Sequence, residues 1–204
     1  MVIGYTPPKQ QRAIETENRF LDAMDELLVT TSYAQLTIER IAVKAGLNKG
    51  AFLNRFGNKK QALFVLFKRY CDECQQRIAQ KSSNISSADL PLDEICAEVS
   101  EQFEQLLIKH FSANRAMYEC FTQELEVDDM TKNIFRSAVA LMMVIQDRYA
   151  IAVVDREESA FYATQLLVTL NFNCVMKAMP AMPVDKSKRH KLVGKLLAQA
   201  LMFG

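Results

Sequence analysis

Three lysines stand where helix electrostatics disfavours them. Asn48 is placed to cap one helix and is followed by Lys49; Asn58 is placed to cap the next and is followed by Lys59 and Lys60. A cation at a helix N-terminus faces the positive end of the dipole, at a cost of about 0.3–1 kcal/mol when exposed. A phosphate at the same place reverses the sign, because the free N–H groups, the dipole and the ammonium all attract it. Thr37, at a helix start of its own, suits a phosphate in the same way. The segment between these lysines has the residue types that read a DNA major groove. Asn54 can pair with an adenine edge, Lys49 with guanine or a phosphate, and Ala51 with a thymine methyl, while Gly50 permits close backbone approach.

The elements that must position these residues are legible around them. Thr37 caps a first short helix with Ile38, Ile41 and Ala45 on one face. Gly46 can take the left-handed conformation that stops it, with Leu47 tucking back. Asn48 caps a second helix, Lys49 to about Arg55, with Phe52 and Phe56 turned inward. Ala42, small and four positions before the turn glycine, allows the steep crossing of a helix-turn-helix. A preceding helix from about Lys9 to Thr30 carries the apolar stripe Phe20, Leu21, Met24, Leu27 and Leu28, with Glu15, Glu17, Asp22 and Asp25 expected to face out. Residues 1–8 read as a loose arm. After Gly57, Asn58 and Gln61 form a variant capping box for a helix from Lys59 to about Lys81. Ser82 to Pro91 reads as a linker.

The remainder predicts five more helices: about Leu92–His110, Ser112–Leu125, Met130–Val153, Glu157–Ala178 and Val184–Met202. Breaks are signalled by Asp128–Asp129, Asp155, Pro180 and Pro183. The fold class is all-α: an N-terminal three-helix DNA-binding domain over residues 1–60, arm included, then a helical bundle over 61–204. The last two helices are apolar over a broad arc (Phe161, Leu166, Leu167, Leu170 and Phe172; Leu192, Val193, Leu196, Leu197 and Leu201). Pairing with their copies in a second subunit would form a four-helix interface.

Charge is distributed to match. Across 204 residues the net charge is only +1. Yet eight basic residues (Arg40, Lys44, Lys49, Arg55, Lys59, Lys60, Lys68, Arg69) stand against Glu39 in the motif region. Residues 89–129 are acid-rich, and Glu98, Glu101, Glu104 and Glu119 invite a cationic lipophilic effector. Five scattered cysteines fit a reducing cytoplasm better than a secreted disulfide framework, and Cys96, Cys120 and Cys174 read as buried. No apolar run is long enough to span a membrane.

The apolar first helix, Thr37, Ile41 and Ala42, Ala45 and Gly46, Lys49 and Gly50, Phe56, and Lys59 opening the next helix together resemble the TetR family of bacterial transcriptional repressors. The match runs from roughly Arg19 to Phe67. The resemblance implies an all-helical homodimer bound to a palindromic DNA operator. A C-terminal domain would bind a small-molecule effector and dimerise through its last two long helices. By position it makes Thr37 and Lys59 phosphate contacts and Asn48 to Asn54 the groove-facing segment. With Arg55 added, the DNA-contacting set is Thr37, Asn48, Lys49, Gly50, Ala51, Asn54, Arg55 and Lys59. Candidates to line an effector pocket are Phe103, Met117, Tyr118, Phe121, Met142, Phe161 and Tyr162.

Three positions depart from the family pattern. Leu53 stands where a phosphate-touching tyrosine is usual, Ser32 where a loop glycine is usual, and Leu63 one place later than the family's leucine. Two alternatives stay open: a thiol- or metal-sensing regulator through Cys71 and Cys74, and a helical adaptor without specific DNA affinity. Enzymatic chemistry has no support, since there is no nucleophile with a paired base, no Gly-rich phosphate loop and no metal or cofactor spacing.

Overall fold

A computed structural model describes residues 5–85, 89–121, 125–176 and 185–203; for Phe121 and residues 125–128 it describes the backbone alone. Among the described residues there are nine helices and no strand. They are α1 (Gln11–Thr30), α2 (Ile38–Lys44), α3 (Lys49–Phe56), α4 (Lys59–Asn84), α5 (Leu92–Lys109), α6 (Phe111–Phe121), α7 (Leu125–Arg148), α8 (Arg156–Val175) and α9 (Lys186–Leu201).

The chain forms two compact units. The first comprises Met1–Cys71 and His110–Thr131, and the second Asp72–Lys109 and Lys132–Gly204. The first unit thus extends past the boundary expected at residue 60, taking in the start of α4 and all of α6. Helix α6 joins α1 through polar contacts that sequence spacing cannot show. The Ser112 hydroxyl donates to Asp25 Oδ1 at 2.6 Å. The Arg115 guanidinium donates to the Leu28 carbonyl at 2.7 Å, satisfying an acceptor left over in the last turn of α1.

Three phenylalanines hold the first three helices. Phe20 of α1 meets Phe52 and Phe56 of α3 edge-on, with ring centroids 5.2 and 6.1 Å apart. Phe20 and Phe52 are fully buried, as are Leu21, Met24 and Ile41 around them. Such rings bury the largest apolar areas in a small core and add geometric preference to it.

In the second unit α5, α8 and α9 pack on one another. Their core includes Ile95, Val99, Ala163, Leu167, Val193 and Leu197, and takes in Met142 and Ile145 of α7. Gly194 sets the closest approach of α9 to α5: a Cβ there would lie 2.8 Å from both the Cβ and the backbone nitrogen of Ala97 and would press on the Asp93 carbonyl. Gly194→Ala should therefore destabilise this unit by about 1–3 kcal/mol through overpacking, despite alanine's better helix propensity. Thermal unfolding checks the sign; a raised melting temperature would contradict the close approach.

Three boundaries differ from expectation. Ser82 to Asn84 continue α4, and the Ser82 and Ser83 hydroxyls donate back to the carbonyls of Ile78 and Ala79 at 2.9 and 3.1 Å. Helix α7 begins at Leu125, so Asp128 and Asp129 lie inside it and do not break it. It ends at Arg148, well before Val153. Ala150 takes a left-handed φ of 50°, and the Ile151 N–H returns to the Gln146 carbonyl at 3.0 Å.

Candidate nucleic-acid interface

The helix-turn-helix is assembled by local caps. Thr37 Oγ1 accepts the Arg40 N–H at 3.2 Å and Asn48 Oδ1 accepts the Ala51 N–H at 2.8 Å, so each side chain starts its helix. Asn58 does the same for α4, accepting the Gln61 N–H at 2.8 Å. Between α2 and α3, Gly46 sits at a φ of 64° and the Leu47 N–H closes on the Ala42 carbonyl at 2.9 Å. Gly57, at a φ of 73°, turns the chain from α3 into α4. These two positions need glycine's freedom.

The turn is held from outside by a residue that sequence reasoning missed. The Arg19 guanidinium donates to the carbonyls of Ala45 and Gly46 at 2.6 and 3.1 Å, tying α1 to the corner between α2 and α3. Nothing in the spacing of an exposed arginine on α1 announces this.

On α3 the inward and outward faces separate cleanly. Phe52 and Phe56 are buried, whereas Asn48, Lys49, Gly50, Leu53 and Asn54 are exposed and Ala51 is half-buried. Of the expected groove-facing residues, Asn48, Lys49, Gly50 and Asn54 are thus open to solvent and Ala51 is partly so. Lys49 Nζ lies 2.5 Å from Glu39 Oε1 in a pair whose side chains are each more than half exposed. The hydrogen bond from Lys49 holds the Glu39 carboxyl below its ordinary range. Exposed pairs of this kind are weak, so a phosphate can compete for Lys49.

Two expected contacts point elsewhere. Lys59 donates to the carbonyls of Tyr33 and Leu36 at 2.8 and 2.6 Å, with its ammonium 4.2 Å from the centre of the Tyr33 ring. Partial burial lowers its pKa. It clamps the loop between α1 and α2, and a phosphate would reach it only alongside those carbonyls. Arg55 is turned back toward α1: Nε donates to Glu17 Oε2 at 2.5 Å, and its terminal nitrogen donates to the Thr6 carbonyl at 2.9 Å. Glu17, expected on the outer face of α1, is 7% exposed, and the Tyr5 hydroxyl donates to its other oxygen at 2.8 Å. The signal was present: positions 17, 20, 21, 24 and 28 share one helical stripe, and a carboxylate on an apolar stripe requires a buried partner.

The candidate pocket residues are divided between the two units. Met117 is buried in the first unit and Tyr118 is exposed there. In the second unit Met142 is fully buried, Phe103 packs against the core, and Phe161 and Tyr162 are exposed. The Phe121 side chain lies outside the described residues. Cys71, Cys74 and Cys96 are buried, and burial pushes the Cys96 thiol up to about 12. Cys120, expected inside, is exposed, and Cys174 is half-buried. Among the acids, Glu104 is buried rather than solvated. No group of three metal-ligating side chains occurs among the described residues. No helix among them is long and apolar enough to cross a membrane.

An N-terminal helix-turn-helix with an exposed second helix, followed by a separate helical unit, defines the class of helix-turn-helix DNA-binding regulators. Residues 20–65 match the sequence model of the bacterial regulatory proteins of the tetR family. The N-terminal segment thus carries the sequence pattern of that family, and the chain has the fold of TetR-family transcriptional regulators. A TetR-family regulator from Mesorhizobium loti superposes with a TM-score of 0.74 at 14% identity, over 94% of this chain and 98% of that one. The transcriptional regulator FadR of Bacillus subtilis, solved in complex with stearoyl-CoA, gives 0.65 at 19% identity, over 90% and 98%. NalD of Pseudomonas aeruginosa, a secondary repressor of the MexAB-OprM multidrug efflux pump, gives 0.62 at 17%, over 94% and 98%. No curated protein matches the chain.

Proposed function

We propose that the protein is a homodimeric cytoplasmic repressor that two α3 helices seat on a palindromic operator and that a small-molecule effector releases. The observation that carries this reading is the exposed α3 face, with Asn48, Lys49, Gly50 and Asn54 outward beside a helix N-terminus. Such a surface pairs phosphate attraction with base-edge chemistry. The effector would bind the second unit and favour the head spacing that cannot hold DNA, and by linkage operator DNA would weaken effector binding equally. Helix α4, shared by both units, is the covalent route for that coupling.

Dimerisation is supported by apolar side chains left exposed on the last two helices. Phe161 is 44% exposed on α8 and Leu192 is 41% exposed on α9, with Phe203 exposed just beyond. A second copy would cover them. Leu192→Asp should split the dimer into folded monomers in sedimentation velocity and cut operator affinity at least about tenfold, because one head alone loses the second half-site. An unchanged sedimentation coefficient would move the interface elsewhere.

The test of the whole reading is binding to the protein's own promoter fragment at two salt concentrations, beside random competitor. Saturable binding that survives competitor and weakens steeply with salt supports it. Binding at neither salt would favour a helical adaptor.

A further inference from the structure

Helix α3 meets the core with Phe52 and Phe56, yet it carries one more large apolar residue, Leu53, which is 37% exposed. At about 100° per residue, Leu53 lies roughly 40° around the helix from Lys49 and 60° from Gly50, with Asn54 beyond. It lies as close to Phe56 on the other side, about 60° away, so it stands at the edge of the packed face with more than a third of its surface open beside the outward residues. Along the axis it stands about 6 Å past Lys49, close to two base-pair steps of 3.4 Å.

The floor of the major groove offers purine N7 and O6, exocyclic amines, thymine O4 and one apolar group, the thymine C5 methyl. A leucine gains nothing from the polar edges and leaves them without their water. Opposite a thymine methyl it buries apolar surface on both sides. We propose that Leu53 is a specificity-determining residue that selects thymine at one position of each half-site by contact with its C5 methyl. The inference rests on the DNA-binding reading above. It also assigns Leu53 no phosphate, so it contributes nothing to the salt dependence of binding.

The test begins with selection of binding sequences from a random duplex pool by the wild-type chain. Each thymine of the selected duplex is then replaced singly by deoxyuridine, which removes the methyl alone. Affinities are measured for wild type and for Leu53→Ala, with thermal unfolding as a check that both are folded. The expected result is one thymine per half-site whose methyl removal costs wild type about fourfold in affinity, the equivalent of burying one methyl, and costs Leu53→Ala nothing. The remaining thymines should respond alike in both proteins, and the salt slope should be unchanged. If every deoxyuridine substitution has the same effect in the two proteins, the inference is overturned while DNA binding stands. If the wild-type chain enriches no sequence at all, the DNA-binding reading falls and takes the inference with it.

Discussion

Alanine in place of Glu104 is expected to cost the second unit about 3–5 kcal/mol, among the largest losses a single substitution can produce here. Glu104 is 4% exposed on α5, and two cationic or potentially cationic side chains of α9 converge on it. Arg189 donates from a terminal nitrogen to Oε1 at 2.6 Å and from Nε to Oε2 at 3.3 Å. His190 Nε2 lies 2.6 Å from the same Oε2. Removing the carboxylate strands a guanidinium that is itself 8% exposed, and that uncompensated charge dominates the loss. Glu104→Gln keeps shape and acceptor and should cost less, about 1–3 kcal/mol.

The pH dependence gives a second readout of the same cluster. Burial pushes the Glu104 carboxyl upward, but the hydrogen bonds from Arg189 and His190 outweigh it and hold the pKa below the ordinary 4.5. A depressed carboxylate pKa stabilises the fold above the unfolded value, and the increment is lost as pH falls through the folded one. Urea unfolding of wild type and Glu104→Ala should therefore differ most near neutral pH and converge below about pH 4.5. A gap that stays constant down to pH 3 would show that packing, not the ion pair, carries the cost.

What the sequence revealed and what it concealed divide by distance along the chain. Thr37, Asn48 and Asn58 were readable as caps because a cap bonds three residues ahead, within reach of a local pattern. Phe20, Phe52 and Phe56 were readable because their helical spacing repeats the core stripe. The contacts that were missed join residues far apart in sequence: Arg19 to the turn at Ala45, Arg55 to Glu17, Arg189 to Glu104, and Arg115 to Leu28. Glu17 alone left a trace, its place on the apolar stripe of α1, and even that did not name its partner, so Arg55 was counted with the DNA-facing lysines on type alone. The place of α6 in the first unit was hidden for the same reason, since Ser112 and Arg115 carry no sign of their partners on α1. Asp128 and Asp129 misled in another way, because the same residues punctuate loops and favour helix starts.

Glu17→Ala should destabilise the first unit by about 2–4 kcal/mol, and Arg55 makes the reason testable. The pair is largely buried, with the Glu17 and Arg55 side chains 10% and 20% exposed, and it also holds the chain before α1 through Tyr5 and the Thr6 carbonyl. Without the carboxylate, Arg55 keeps its charge, loses its partner and must reach water past the Tyr5 ring, which its guanidinium overlies at 5.0 Å. Joint replacement, Glu17→Leu with Arg55→Met, removes both charges and should recover most of the loss, since an apolar pair of similar volume needs no compensation. The two arginine and lysine readings separate in DNA titrations at several salt concentrations. Lys49→Ala should flatten the salt slope by about one unit, as removal of one phosphate contact does. Arg55→Ala should lower thermal stability and leave that slope unchanged, because its charge is spent on Glu17. A slope reduced equally by both substitutions would mean that Arg55 leaves Glu17 for the DNA backbone when the complex forms, and the inward pair would then be a property of the unbound protein alone.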